Sequence, residues 1–292
     1  MTTDAGRQQG RLAIVAGSGL LPHFVAEAAR EAGENPFILR LRNESDQTWD
    51  GFDNAVIGVG DMAGLSALLK ANGIDRVVLS GGVKRRPGFG EIRVNLRSLM
   101  KLPMALRTLL AGGDDAVLKM AITLIESQGC RVIGAHEIAP DLLAEAGPLG
   151  KFAPSNEDMR DIARAAKAAE ALGRLDVGQG AVSIGGRIVA LEGVEGTDAM
   201  LRRVERLRRE GRISSSRKGV LVKLCKPQQD VRADLPAIGR STIENAKNAG
   251  LAGIAVEAGR ALVIERAEVL READEAGIFV CGIDRGLPGG MM

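Results

Sequence analysis

Through the first half of the chain, short unbroken apolar runs alternate with longer stretches in which apolar residues recur every three or four positions. RLAIVAG (11–17) is apolar without a break, the pattern of a strand buried on both faces of a parallel sheet. HFVAEAAREAG (23–33) has helical spacing and closes on a glycine. NPFILRL (35–41) and NAVIGVG (54–60) read as further strands, MAGLSALLKANG (62–73) as a helix, and IDRVVLSGGV (74–83) as a strand ending in glycines. Helical spacing returns over 95–110 and 114–129, before the apolar run CRVIGAHEI (130–138). Strands that alternate with helices predict a parallel sheet covered on both faces. The predicted fold class is α/β, with residues 10–145 forming a Rossmann-like parallel-sheet domain.

The periodicity fades across 146–158, within a proline-bearing stretch that reads as a linker. Residues 159–285 follow as a second, mixed α/β domain. MRDIARAAKAAEALGRLD (159–176) is strongly helical, and AVSIGGRIVAL (181–191) is a hairpin about Gly185-Gly186. TDAMLRRVERLRREG (197–211) is a helix with Thr197 placed as its N-cap. GVLVKLC (219–225) is a strand, 241–250 a helix, GIAVEAGRALVI (253–264) a second hairpin, 266–277 a helix and IFVCGI (278–283) a strand. Hairpin, helix and strand therefore recur, which raises the question of an internal duplication.

Composition narrows the chemistry. The 292 residues are 45% hydrophobic, enough for two cores. A formal charge of +2, with six Phe, one Trp and no Tyr, supplies neither the field nor the stacking platforms that nucleic acid needs, so no such partner is expected. Cys130, Cys225 and Cys281 lack metal or redox spacing and read as buried small apolar residues in a reducing compartment. His23 and His136 cannot supply a zinc cluster or a histidine-dependent triad. The polar N-terminus is unlike a signal peptide, and no apolar run reaches the ~18 residues of a span. A cytoplasmic location is expected.

Seven stretches carry candidate chemistry. AGSGLLP (16–22) is a glycine-rich turn from strand to helix, where Gly17, Ser18, Gly19 and Leu20 can turn backbone N–H groups toward an anion. Pro22 replaces the third glycine of a dinucleotide fingerprint, and Arg40 and Arg42 follow the second strand where NAD would want an acid. NADP survives as an alternative, and so does a turn with no ligand. SGGVKRRPGFG (80–90) places Gly81, Gly82 and Lys84 at another strand end, plausibly on the same crevice. Residues 84–107 hold seven basic residues and one acid among leucines and methionines, the makeup of a surface-seeking amphipathic segment or of an ordinary helix. AGGDD (111–115) puts Asp115 at a helix start, as a cap or a ligand; EGTD (195–198) does the same for Thr197. Residues 202–218 carry eight basic residues and two acids, a solvated helix or an attractor of anionic lipid.

KPQQDVRADLP (226–236) is the strongest of these, with a solvated mixed-charge loop as its alternative. Asp230 and Asp234 offer the hard oxygen ligands of Mg²⁺, with Mn²⁺ as an alternative, while Lys223, Lys226 and Arg232 offer cations to a phosphate. In an extended segment residues 230, 232 and 234 would share one face. Pro227 and Pro236 would limit its freedom.

Taken in order, AGSGLLP, SGGVKRRP, GGDD, EGTD, KPQQDVRADLPAIG and AGLAGIAVEAG resemble the UDP-2,3-diacylglucosamine pyrophosphatase family of lipid A biosynthesis, in its α/β form rather than the metallophosphoesterase form. The likeness runs over about residues 11–284. It implies a Rossmann-like N-terminal domain, a distinct C-terminal domain and a lipid held between them. It also implies Mg²⁺-assisted hydrolysis to UMP and 2,3-diacylglucosamine 1-phosphate. The family's functional aspartate falls in 230–234, at Asp230 or Asp234.

The resulting expectation is a Mg²⁺-dependent hydrolase with Asp230 and Asp234 as catalytic and metal-binding residues. Gly17, Ser18, Gly19, Leu20, Gly81, Gly82, Lys84, Asp115, Thr197, Lys223, Lys226, Gln229 and Arg232 form the substrate-binding set. Its partners are a nucleotide-linked glycolipid and, peripherally, the cytoplasmic surface of the inner membrane, with a homo-oligomer left open. An NADP-dependent oxidoreductase and a non-catalytic nucleotide-lipid binding protein are the alternatives.

Overall fold

The computed structural model describes residues 10–83 and 114–285. Lys84, the basic stretch 84–107 and the helix expected at 95–110 lie outside the described residues. The chain divides into two units: one runs to Pro140 and takes in Asp230–Asp234, and the other holds Asp141–Gln229 and the chain from Leu235.

In the first unit, strands β1 (Arg11–Ala16), β2 (Phe37–Leu41), β3 (Asn54–Ile57), β4 (Ile74–Ser80) and β5 (Arg131–Ile133) form a parallel sheet in the order β3-β2-β1-β4-β5. Helix α1 (Leu21–Glu31) follows β1, α2 (Met62–Ala71) follows β3, and α3 (Asp114–Glu126) and α4 (Ala135–Ile138) flank β5, while β2 leads to β3 without a helix. Successive residues of β1 enter two different cores. Ala13 packs with Leu39, Leu65, Val77 and Ile125; Leu12, Ile14 and Ala16 pack with Val25, Ala29, Ile38 and Val78. Burial on both faces is the reason the strand reads as a continuous apolar run. Pro22 sits in the first turn of α1, and the Asp61 side chain caps α2 by accepting from Gly64 N at 2.9 Å.

The second unit holds β6 (Gly147–Pro148), α5 (Asn156–Arg174), β7 (Gly180–Ile184), β8 (Arg187–Leu191), α6 (Gly196–Arg209), β9 (Val220–Lys223), β10 (Ala237–Ile238), α7 (Arg240–Asn248), β11 (Gly253–Glu257), β12 (Leu262–Val263), α8 (Arg266–Glu275) and β13 (Phe279–Ile283). Its main sheet has the order β6-β13-β11-β9-β7-β8, in which β9, β11 and β13 are parallel and β6, β7 and β8 pair antiparallel. One face packs against α5 through Ile162, Ala165, Val222 and Phe279. The other packs residues of α6, α7 and α8, among them Met200, Leu201, Ile243 and Val269. Removing one such fully buried Leu or Ile would cost about 2–5 kcal/mol.

Several expectations change here. The stretch read as a linker, 146–158, carries β6 on the edge of β13 and the Ser155 cap of α5, which accepts from Asp158 N at 3.2 Å. The first hairpin, β7–β8, is present. Its glycine turn is pinned by buried Asp161, which accepts from Ser183 Oγ at 2.5 Å, Gly185 N at 2.9 Å and Gly186 N at 2.7 Å. The second hairpin is absent. After β11 the chain leaves the main sheet, and β12 pairs with β10 in a separate parallel pair, with Leu262 N on Pro236 O at 2.8 Å and Ile264 N on Ile238 O at 2.9 Å. The question of an internal duplication loses the second hairpin that raised it. Thr197 is not the N-cap of α6; it lies inside the helix, and its hydroxyl donates to Glu192 Oε1 at 2.7 Å.

Candidate functional site

The strand order of the first unit reverses between β1 and β4, and the crevice beyond the carboxyl ends of such a pair is where open α/β sheets bind ligands. Both glycine motifs lie there. Ser18 N donates to Gly82 O at 2.8 Å and Gly82 N to Ser18 O at 2.9 Å, so the two turns are stitched together. A Cβ on Gly17 would stand 2.4 Å from Gly82 O. Gly81, at φ +84°, would bring one 2.7 Å from Ser18 O. Close approach of two backbones thus explains these glycines. Gly17 N donates to Ser80 O at 2.8 Å and Gly19 N to Asp46 Oδ1 at 2.9 Å. The backbone donors expected to meet an anion are therefore engaged within the protein at residues 17, 18, 19 and 82. Leu20, just before α1, is partly exposed.

The segment Asp230–Asp234 groups with this unit but is not extended. Asp230 O accepts from Ala233 N at 2.9 Å and from Asp234 N at 3.2 Å, and the Asp230 carboxylate accepts from Arg232 N at 3.0 Å. This is a turn of the kind aspartate favours, because its side chain replaces a backbone acceptor two residues on. The carboxylate also takes both Arg232 Nε (3.0 Å) and Nη2 (2.8 Å), a bidentate pair, while Arg232 Nη1 reaches Glu126 at 2.9 Å. The Arg232 guanidinium holds the Asp230 carboxyl below the usual carboxylate range, and the Arg232 pKa is raised in return. Asp115 is buried in the first turn of α3.

In the second unit, the carboxyl ends of β9, β11 and β13 gather charge at one sheet edge. Lys223 ends β9, is buried, and its Nζ donates to Ala237 O at 2.9 Å. Lys226 Nζ meets Asp176 Oδ1 at 2.7 Å, and Gln229 Oε1 accepts from Lys226 N at 2.9 Å. Glu257 ends β11; it is buried and accepts from Cys225 N at 2.9 Å. Arg285, just past β13, brings Nε to 2.9 Å from Glu257 Oε1, and Arg260 Nε lies 3.7 Å from the same oxygen. Two guanidiniums share one carboxylate. Beside this edge, Gly180 pairs with Lys223, and Glu192 N donates to Gly180 O at 2.9 Å. Glu192 is buried, holds Thr197, and its Oε2 has no hydrogen-bond partner among the described residues. Such an oxygen ordinarily has a water or a ligand against it.

Burial pushes the Cys225 thiol up, partly offset by Arg260, and pushes Cys281 up to about 12. Neither is a thiolate nucleophile at neutral pH. A cleft of ≈ 410 Å³ lies at the opposite, amino edge of this sheet, lined by Phe152, Asp158, Arg217, Gly219 and Phe279. None of the expected site residues lines it. Among the described residues no three His, Cys, Asp or Glu side chains converge as a metal cluster, and no helix is long and apolar enough to cross a membrane.

The sequence models of the LpxI N-terminal domain and the LpxI C-terminal domain match residues 11–142 and 145–281. The chain belongs to the LpxI family. It is 42% identical over 275 residues to the UDP-2,3-diacylglucosamine pyrophosphatase LpxI of Caulobacter vibrioides, covering 94% of this chain and 98% of that protein. It is also 31% identical over 98 residues to Synaptotagmin-5 of Arabidopsis thaliana, but that covers only 32% of this chain and 16% of that protein and carries no argument. Within this chain, Gly17, Ser18, Gly19, Leu20, Gly81, Gly82 and Asp115 fall in the N-terminal match, and Thr197, Lys223, Lys226, Gln229, Asp230, Arg232 and Asp234 in the C-terminal one. Glu192, Glu257, Arg260 and Arg285 were not singled out by the sequence reading. Their one signal was position: Glu257 ends a strand, and the other three lie one to three residues past strand ends, where α/β sheets carry their ligands.

Proposed function

We propose that this LpxI-family chain hydrolyses the pyrophosphate bond of UDP-2,3-diacylglucosamine to UMP and 2,3-diacylglucosamine 1-phosphate, a step of lipid A biosynthesis. The observation that carries this reading is the 42% identity to the Caulobacter vibrioides pyrophosphatase over nearly the whole of both chains. A pyrophosphate diester needs cations for its anionic oxygens. Arg260 and Arg285 offer two around the single carboxylate of Glu257, and Lys223 ends β9 at the same edge, which leaves surplus positive charge there. Thr197, oriented by Glu192, offers a hydroxyl, and Lys226 and Gln229 adjoin. Arg260 and Arg285 are guanidiniums, suited to two-pronged contact with phosphate.

Asp230 and Asp234 would offer carboxylate oxygens to a cation that keeps most of its ligands as water and substrate oxygen, as Mg²⁺ does. Asp230 would take it by giving up Arg232, which frees that guanidinium for phosphate. Mg²⁺ held there, or Mn²⁺ in its place, would neutralise charge on the phosphates. With two acyl chains on the substrate, the enzyme would work peripherally at the cytoplasmic face of the inner membrane.

The test is incubation of pure protein with UDP-2,3-diacylglucosamine, with Mg²⁺ and with a chelator, followed by chromatography for UMP. UMP that depends on the metal is the expected result. UMP at an equal rate in chelator would remove the metal from the account, and no UMP in either arm would remove the function.

A further inference from the structure

Four exposed apolar side chains crowd the loop that follows α5 and the end of β8 with the loop beyond it, in the second unit. Leu175 is 74% exposed, Val177 51%, Leu191 41% and Val194 fully so. They are half of the eight large apolar side chains exposed among the described residues, on two stretches of a few residues each. The stretches lie side by side because Ala181 pairs with Leu191 across β7 and β8, and Glu192 N donates to Gly180 O at 2.9 Å. They are also held in shape. Val177 N donates to Leu172 O at 3.1 Å, and Lys226 Nζ meets Asp176 between the two apolar tips of the first loop. Apolar groups concentrated like this on a surface mark a contact with something less polar than water.

A row of cations begins beside the patch. Arg203 Nη2 donates to Leu191 O at 2.7 Å, which ties the middle of α6 to it. Arg202, Arg206 and Arg209 then follow at helical spacing on the exposed side of α6. Acids are fewer. Glu195 pairs with Arg203 at 3.5 Å, and Glu210 is shared by Arg206 at 3.8 Å and Arg212 at 3.4 Å. Valine and leucine tips flanked by surplus arginine fit the boundary between headgroups and acyl chains of an anionic bilayer. A second copy of the chain would set two like-charged rows near each other. An acidic soluble protein would satisfy the arginines and leave the apolar tips in water.

We propose that Leu175, Val177, Leu191 and Val194, with the Arg202–Arg206–Arg209 row, form a surface that docks this protein on an anionic bilayer. The purpose of the docking rests on the diacyl substrate of the proposed function, whereas the docking itself is measurable without it. The patch adjoins the candidate site, since Glu192, the partner of Thr197, follows Leu191 directly and shares its loop with Val194.

The experiment sediments the full chain with phosphatidylglycerol/phosphatidylcholine vesicles and with phosphatidylcholine vesicles, at low and high salt and with no substrate. Salt-sensitive binding to the anionic vesicles is expected. The Leu175→Ser/Val177→Ser/Val194→Ser variant should bind about tenfold more weakly or worse, through lost apolar burial. The Arg202→Gln/Arg206→Gln/Arg209→Gln variant should lose the salt-sensitive part. UMP release from a short-chain, vesicle-free substrate should stay within about twofold in both, as exposed positions allow. Unchanged vesicle binding in both variants overturns the proposal. So does a serine variant that keeps wild-type vesicle binding but turns from dimer to monomer in sedimentation velocity. Failure of the wild type to release UMP from the soluble substrate would count against the proposed function alone and leave the vesicle result standing.

Discussion

At the residue scale the account turns on Asp230 and Arg232. Their charges were plain in the sequence, but their partnership was not, because an extended reading sends residues 230, 232 and 234 to one face. The structure makes a turn instead, with the Asp230 carboxylate taking the backbone and both prongs of Arg232. Asp230→Ala or Asp234→Ala, whichever removes the metal ligand, should slow turnover by about 10³-fold, the scale of a lost transition-state electrostatic contact. Wild-type rates in both would place the metal elsewhere. The same pair makes a statement about pH. The folded-state pKa of Asp230 lies below its unfolded value. Its contribution to stability is therefore fully present above the ordinary carboxylate range and lost as pH falls through the lowered value. Denaturant titrations of wild type and Asp230→Asn should differ at neutral pH and converge in acid. A difference that persists undiminished in acid would contradict this.

At the element scale, what the sequence made legible was what periodicity encodes. The continuous apolar run of β1 and the spacing of α5 and α6 all became elements close to their expected bounds. The hairpin at 253–264 failed for a physical reason: turn residues report that a chain bends, and only pairing partners decide where it goes next. Here Pro236 and Ile238 supplied the partners for Leu262 and Ile264. Arg208 is a second case. In sequence it is one of eight basic residues in 202–218 and reads as a solvated charge. In the structure its guanidinium donates to five carbonyls, of Ser214, Arg217, Lys218, Ala249 and Gly250, and burial lowers its pKa. It ties the loop before β9 to the end of α7. Arg208→Ala should therefore cost about 2–4 kcal/mol in denaturant unfolding, from carbonyls left without a donor. Arg208→Lys should recover little, since one ammonium cannot span that fork. Full recovery by lysine would show that charge alone matters.

At the scale of the whole molecule, two α/β units each carry their candidate chemistry at the carboxyl edge of a sheet. The first has its stitched glycine turns at the β1–β4 reversal, and the second its Lys223, Glu257, Arg260 and Arg285. The first edge was legible because glycine turns leave a local signature. Much of the second was not, because Glu192, the neighbouring Glu257 and Arg260, and Arg285 come from separate stretches of sequence that strand order brings to one edge. Motif order over nearly the whole chain nonetheless pointed to the family that the N- and C-terminal matches establish. The central claim, cleavage between the two phosphorus atoms, is most directly tested by ³¹P NMR of pure protein acting on UDP-2,3-diacylglucosamine. The account predicts that the paired diphosphate resonances give way to two phosphomonoester resonances, those of UMP and of 2,3-diacylglucosamine 1-phosphate. Persistence of a diphosphate as free UDP, with no sugar phosphate, would contradict it.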